Sequence, residues 1–283
     1  MKIGSEEHKR LFCRHFLQTY QDYDPKTLPW PELDEEALQR LRSVPFWQEV
    51  FYTERRSGAI VSAFTKTVTD PELKAAIALQ SEEEARHVEL LRVMIARYGI
   101  DAKELPLESL PADIETAFKD FGFGECVDSF LGFGVFKIAR ASGFLPESMF
   151  AIFETLMYEE TRHIVFFVNW MAYNQARRGL IARAAAPLVT FRYYIRALKR
   201  MIGTARRGAK MGDGKDFAMT QANLFLDGFT FRRFLADCYS ENRRRMAEFE
   251  PEMIKPSFLP RLAGTALSAL RLWSLSSKPQ PVG

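Results

Sequence analysis

Residues 83–87 read Glu83-Glu84-Ala85-Arg86-His87, and residues 159–163 read Glu159-Glu160-Thr161-Arg162-His163. One pentapeptide, Glu-Glu-x-Arg-His, is spelled twice by a chain that owns only four histidines. Both copies lie in long runs without strand signals, "AIALQSEEEARHVELLRVMIARYG" and "FETLMYEETRHIVFFVNWMAY", so helices are expected at both. On a helix, side chains three apart project from the same face. Glu84 and His87 therefore point together, as do Glu160 and His163. A carboxylate oxygen and an imidazole nitrogen converging from one rigid element suit a metal ion. A single Glu-x-x-His means little on a Glu-rich helix surface, whereas a full repeat is a specific signal.

The rest of the chain reads as a succession of helices, an all-α fold. Residues 1–45 form an N-terminal preamble with Pro25, Pro29 and Pro31 and one short helix, "DEEALQRLRS". A long helix is expected from about 46 to 69. Asp70-Pro71 supplies an N-cap and a first-turn proline for a second helix, which Gly99 ends after Tyr98. A third is expected over about 112–141, and a fourth starts at Pro146 and ends at Gly179. A fifth spans about 182–207, followed by the loop "GAKMGDGKD" and a sixth helix over 217–249. A short amphipathic segment with Leu262, Leu267, Leu270, Leu272 and Trp273 closes the chain. The hairpins 46–98 and 112–178 each carry one pentapeptide on their second helix. That is the pattern of a four-helix bundle with one long crossover, with 179–283 as additional C-terminal helices packed on it in the same domain.

A dinuclear site in such a bundle needs one more carboxylate from each remaining helix. Glu84 to His87 lie 14 to 17 residues after the turn near residue 70, so level partners are expected near 53–56, where Glu54 stands. Glu160 to His163 lie 16 to 19 residues after the turn near 144, which points back to 125–128. That window offers Glu125 and Asp128. Glu125 is preferred, being a Glu among Phe and Gly, with Asp128 as the reserve ligand. Four carboxylates would neutralise two divalent ions, which makes their burial tolerable.

The doubled motif resembles the soluble di-iron carboxylate oxygenases of the ferritin-like superfamily. These include acyl-carrier-protein desaturases, multicomponent monooxygenase hydroxylases and arylamine N-oxygenases. The resemblance covers about 46–178 and rests on Glu54, Glu84, His87, Glu125, Glu160 and His163. It implies two iron ions, or a manganese–iron pair, with dioxygen as co-substrate and an organic substrate, small or carrier-bound, to be hydroxylated, desaturated or N-oxygenated. It also implies that Glu83 binds His163 and Glu159 binds His87 across the motifs, with Arg86 and Arg162 paired to those outer acids. Ribonucleotide reductase small subunits place a radical-forming Tyr one turn after the first His, and this chain has Leu91 there and Phe167 after the second. Similar oxygenases often carry a Thr one turn after the third Glu, where Ser129 stands as a candidate aid to oxygen binding. No electron-transfer module is encoded, so a separate ferredoxin or flavin reductase is implied. The alternatives are a ferritin- or rubrerythrin-type metal-binding protein without organic substrate, and a tRNA-modifying hydroxylase.

Composition sets the outer bounds. Hydrophobic residues make up 47% and charged residues 27%, as in ordinary globular proteins, and Phe occurs 24 times. No signal-peptide core and no run of ~18 apolar residues occurs. Cys13, Cys126 and Cys238 are scattered without a Cys-x-x-Cys, which excludes a zinc ribbon and suits a reducing cytoplasm. His8 and His15 lack ligand spacing. Net charge is +3, yet Arg177 to Lys210 holds ten Lys or Arg and no acid. Arg192, Arg196, Lys199 or Arg200, Arg206 and Lys210 recur at helical spacing, opposite Leu188, Ile195, Leu198 and Ile202. This reads either as a solvated face or as a site for an acidic protein, an anionic lipid surface or RNA. Gly122, Gly124, Gly132 and Gly134 among the Phe residues of the third helix leave either a substrate channel or a close helix–helix approach. Ferritin-like oxygenases are often homodimers.

Overall fold

The computed structural model describes residues 1–211 and 230–276. Among these the regular structure is entirely helical, and the fold is all-α. The elements are α1 (Glu6–Gln18), a 3-10 turn (Pro25–Thr27), α2 (Glu35–Ser43), α3 (Trp47–Thr65), α4 (Pro71–Tyr98), α5 (Ile114–Ala141), α6 (Glu147–Arg177), α7 (Leu180–Met211), α8 (Phe231–Met246) and α9 (Phe258–Ser276). None is long and apolar enough to cross a membrane.

Local chemistry sets the boundaries that matter for the site. Asp70 caps α4 by accepting the backbone N–H groups of Glu72 and Leu73, and Pro71 fits the first turn. Gly99 takes the left-handed conformation (φ 61°) that closes the helix after Tyr98. Gly143 (φ 67°) turns the chain between α5 and α6. α3 stops at Thr65, four residues short of the expected end, because the chain needs a turn before the Asp70 cap. α7 runs to Met211, four residues into the loop expected after residue 207. Residues 212–229, which take in the rest of that loop and the expected helix start at Phe217, lie outside the described residues.

α3 packs on α4, α4 on α6, α6 on α5, and α5 back on α3, a closed ring of four helices. The ring has two apolar layers. Phe12, Phe64, Phe118, Phe133, Phe166 and Trp170 belong to one, and Leu41, Leu90, Met94, Phe136, Met149 and Phe150 to the other. Along α4 the first layer ends at Ile77 and the second begins at Leu90; along α6 the second ends at Ile152 and the first resumes at Ile164. Both pentapeptides fall in the gap.

The N-terminal residues are more than a preamble with one short helix. α1 is a capped thirteen-residue helix that packs on α4 and α6. Ser5 caps it, and Lys9 reaches Asp70 at 2.5 Å, tying it to the start of α4. The 3.6-residue pattern over 6–18 is weakened by His8, Lys9 and His15, which hid the helix. His8 is fully buried and receives the Gly4 N–H on Nδ1, so its Nε2–H donates to Asn169 Oδ1 at 3.1 Å. It is a satisfied core histidine with no ligand role.

Two α5 glycines resolve the choice between channel and close approach. A Cβ on Gly122 would meet the Phe167 ring at 2.2 Å, and one on Gly134 would meet Cys238 Sγ at 2.3 Å. At these two positions neighbouring side chains already fill the space. The basic face of α7 is also less free than its sequence suggests. Arg196 pairs with Asp120 at 2.5 Å and Arg200 bonds the Asp120 carbonyl, so both fasten α7 to α5. The side chains of Arg206 and Lys210 lie outside the described residues.

These glycine contacts give opposite expectations for two similar substitutions. Gly122→Ala drives a methyl into a ring wedged among Phe118, Phe123 and Trp170, and should cost about 1–3 kcal/mol. Gly132→Ala meets nothing within 4 Å and should stabilise the helix by about 0.5–1 kcal/mol. Denaturant midpoints of the two variants moving in the same direction would contradict the packing described.

Candidate metal centre

The two pentapeptides face each other across α4 and α6. His87 Nε2 lies 2.9 Å from Glu159 Oε2, and His163 Nε2 lies 2.9 Å from Glu83 Oε2. All four side chains are at most 1% exposed. Each carboxylate accepts the Nε2–H of the other motif's ring, which fixes the ring's orientation and leaves Nδ1 to face the inner carboxylates, where it can carry a proton or meet a cation. The two Nδ1 atoms turn into the ring of helices, and the ring centroids are 5.5 Å apart.

Around these nitrogens stand the carboxylates. His87 Nδ1 is 3.1 Å from Glu160 Oε1 and 3.4 Å from Glu54 Oε2. His163 Nδ1 is 3.3 Å from Glu84 Oε1 and 3.9 Å from Glu160 Oε2. Close as they are, both Nδ1 atoms and Glu160 Oε2 are buried without a hydrogen-bond partner. Orphaned buried donors and acceptors are rare and call for an explanation. His87, Glu160 and His163 form one group able to hold an ion, and Glu54, Glu84 and His87 form a second that shares His87. Two imidazoles and several carboxylates are the donor set of a hard-to-borderline divalent cation.

Glu125, on α5, feels the charges of Glu54, Glu84 and Glu160 but belongs to neither group of candidate ligands. Asp128 is exposed near Arg200 and takes no part in either group of candidate ligands. Ser129 is buried one turn after Glu125 on α5.

Without a cation, protons must balance the carboxylates. Burial pushes the Glu84 carboxyl up to about 8, with the charges of Glu160 and Glu54 adding to it and His163 opposing. Burial and the neighbouring Glu160 and Glu84 hold Glu125 well above the carboxylate range. Burial would lower His87, but its bond to Glu159 and the nearness of Glu160 and Glu54 raise it well above the ordinary imidazole value. His163 is raised likewise by Glu83, Glu84 and Glu160 against the effect of burial. Burial would raise Glu160 too, but the two imidazoles and Glu125 outweigh it and draw this carboxyl down. The cluster therefore gathers positive charge by whatever means it can.

An outer layer supports the crossed pairs, and half of it was not foreseen. Arg86 pairs with Glu159 and Arg162 with Glu83, as the resemblance implied. The N-terminal segment adds the rest. Tyr23 Oη donates to Glu159 Oε2 at 3.0 Å, and Arg86 donates to Tyr20 Oη at 2.9 Å. Arg162 donates to Thr19 Oγ1 at 2.9 Å and to the Phe16 carbonyl. Gln80, one turn before Glu84 on the same face, is buried beside it. The position of Gln80 on the ligand face of α4 was a usable signal. Nothing local marks Thr19, Tyr20 or Tyr23, whose partners lie 66 or more residues away.

Comparison of the chain with protein-family models, with curated protein sequences and with solved structures gives no match. The interpretation of the site therefore rests on its geometry.

Two measurements probe that geometry. Glu84, with a folded pKa of about 8 against an ordinary 4.5, stays protonated in the fold where an unfolded chain would ionise. Stability from such a group is complete below about 4.5 and is lost as pH rises through about 8. The raised imidazoles act in the same direction, and the lowered Glu160 matters only in acid. Metal binding releases these protons, so the metal-induced rise in Tm should grow from pH 6 to pH 8, roughly the window set by these shifts. A metal increment that is flat or shrinks over that window would contradict the proton balance. Separately, Glu159→Gln removes the acceptor that His87, Arg86 and Tyr23 share, and should weaken divalent-metal affinity about 10- to 100-fold in equilibrium titrations.

Proposed function

We propose that this chain is a dinuclear metalloprotein of ferritin-like, long-crossover four-helix type that activates dioxygen to oxidise an organic substrate. The observation that carries the reading is the crossed pairing of Glu83 with His163 and Glu159 with His87, which aims both free Nδ1 atoms at the same cluster of carboxylates. Glu54, Glu84, His87, Glu125, Glu160 and His163 would hold two iron ions. The bound pair would supply dioxygen binding and its reduction. The protein's part is positional and electrostatic. Glu83 and Glu159 keep each imidazole in the ligating tautomer, and Arg86 and Arg162 offset the outer acids. The flanking apolar layers keep the carboxylates in a low-dielectric space, which strengthens their hold on a divalent ion. Ser129 would present a hydroxyl beside Glu125. Outside electrons would come from a separate ferredoxin or flavin reductase.

A second reading, a metal-handling protein without an organic substrate, has one observation in its favour. Phe167 and Cys238 fill the space at Gly122 and Gly134, so these glycines open no channel beside the site. One experiment separates the readings. Protein loaded anaerobically with ferrous iron should bind about two ions per chain, and Glu84→Ala or Glu160→Ala should lower this. On mixing with oxygen and a reductase, uptake that a panel of acyl, aromatic and amine compounds stimulates supports the oxygenase. Uptake that stops after one oxidation of the iron, whatever is added, supports metal handling. A single zinc at a mononuclear site would sink both.

A further inference from the structure

Several large apolar side chains of α7 and α9 are exposed. Leu188 (63%), Phe191 (48%) and Ile202 (45%) of α7 stand in solvent, as do Leu262 (55%) and Leu272 (69%) of α9. Leu188, Phe191, Ile195, Leu198 and Ile202 follow an alternating three-four spacing, so they form one continuous stripe along α7. Part of this stripe meets the fold, since Leu198 is half-buried against the core and Phe191 touches Phe258, while Leu188 and Ile202 stand free of it in solvent. Attachment also uses another face, where Tyr194 and Ala197 are buried and Tyr193 stacks on Phe123 of α5 at 5.1 Å. α7 therefore has a buried apolar face and a second apolar stripe that the fold covers only in part.

The second face has cationic company. Lys199 and Arg192, both exposed, come next around the helix from Leu188. Neither α7 nor α9 contains an Asp or Glu. Phe258 at the start of α9 stacks on Tyr194 at 4.4 Å and meets Phe191 edge-on at 6.0 Å, joining the two helices. Leu262 lies one turn further along the same side of α9. A groove of about 940 Å³ between α8 and α9 is lined by Arg243, Lys255 and Arg261 and by no acid.

The charge pattern selects the occupant. A second copy laid stripe to stripe would bring Arg192 and Lys199 of both chains together without counter-charge. A neutral apolar ligand would have no use for the cations. An anionic bilayer surface suits both parts, with its acyl boundary against Leu188, Phe191 and Ile202 and its phosphates against Lys199 and Arg192. We propose that α7 and α9 dock this protein onto anionic lipid membranes, lying in the interface without spanning it. No described helix can span.

The test uses the whole chain and sedimentation with phosphatidylcholine vesicles that contain, or lack, about one-third phosphatidylserine. The protein should pellet with the serine-containing vesicles only, and added salt should release it by screening. Leu188→Ser with Ile202→Ser replaces side chains already in solvent, and should weaken vesicle binding at least about tenfold. Arg192→Gln with Lys199→Gln should do the same. Circular dichroism and metal content should match the parent in both double variants, which separates this surface from the metal site and from misfolding. Equal binding to the neutral vesicles, or binding to neither, overturns the proposal. So does a dimer in solution that the Leu188 and Ile202 changes dissolve, which would assign the face to a second copy.

Discussion

Four carboxylates and two imidazoles share one interior space, and the rest of the molecule is arranged around what that costs. An unpaired carboxylate in a dry interior is penalised by several kcal/mol, and several together repel one another as well. The structure answers in two ways. The outer acids, Glu83 and Glu159, each receive an imidazole and a guanidinium, so they are balanced within the protein. The inner carboxylates face the same two imidazoles from the Nδ1 side but meet no guanidinium, so the rest of their charge must be met by protons or by cations from outside. That difference makes the inner group a candidate site and the outer group its support.

The support reaches further than the four ring helices. Arg162 is fully buried, and its guanidinium is satisfied by Glu83, Thr19 and the Phe16 carbonyl while lying 4.4 Å from the Phe16 ring. Arg86 lies over the rings of Tyr20 and Tyr23 at 5.0 and 4.3 Å. Residues 16–23 thus cover both arginines. Exclusion of water from these ion pairs strengthens them, and it also means that removing one partner leaves a buried charge unbalanced. Asn169 fixes α6 to its surroundings with a fully used amide. It bonds His8, the Val165 carbonyl and both backbone groups of Ile254. The same helix that carries the second pentapeptide is therefore held on two sides.

Sequence was informative wherever a regular period carried the message. The repeated pentapeptide put two Glu and two His on helix faces, and counting residues from the two turns pointed to Glu54, which joins a candidate ligand group, and to Glu125, which joins neither. α4 matched its expected limits because Asp70, Pro71 and Gly99 each encode a boundary in local backbone chemistry. What stayed hidden was non-local. Tyr23 meets Glu159 across 136 residues, and no local pattern foretells such a contact. The α5 glycines show another limit, since a missing side chain does not say whether a channel or a neighbour's ring takes its place. Arg196 and Arg200 looked like surface charge because their partner, Asp120, sits on a different helix.

The two pentapeptides are alike in sequence but not in surroundings, and the difference gives the site a direction. α1 lies across α4 and α6, and around it Glu83, Glu159 and both histidines are closed from solvent. The carboxylates from the other two helices are less enclosed. Glu54 keeps 17% of its side chain exposed against 1% for Glu84, and Glu125 is only half-buried. Rigid nitrogen donors thus sit on the sealed side, and movable carboxylates on the side nearer water. A carboxylate can change its coordination by rotating a side chain, whereas each imidazole is pinned by the acid behind it. The more exposed half of the cluster is thus the one that α3 and α5 supply. The sealed half is held by the crossed pairs of Glu83 with His163 and Glu159 with His87.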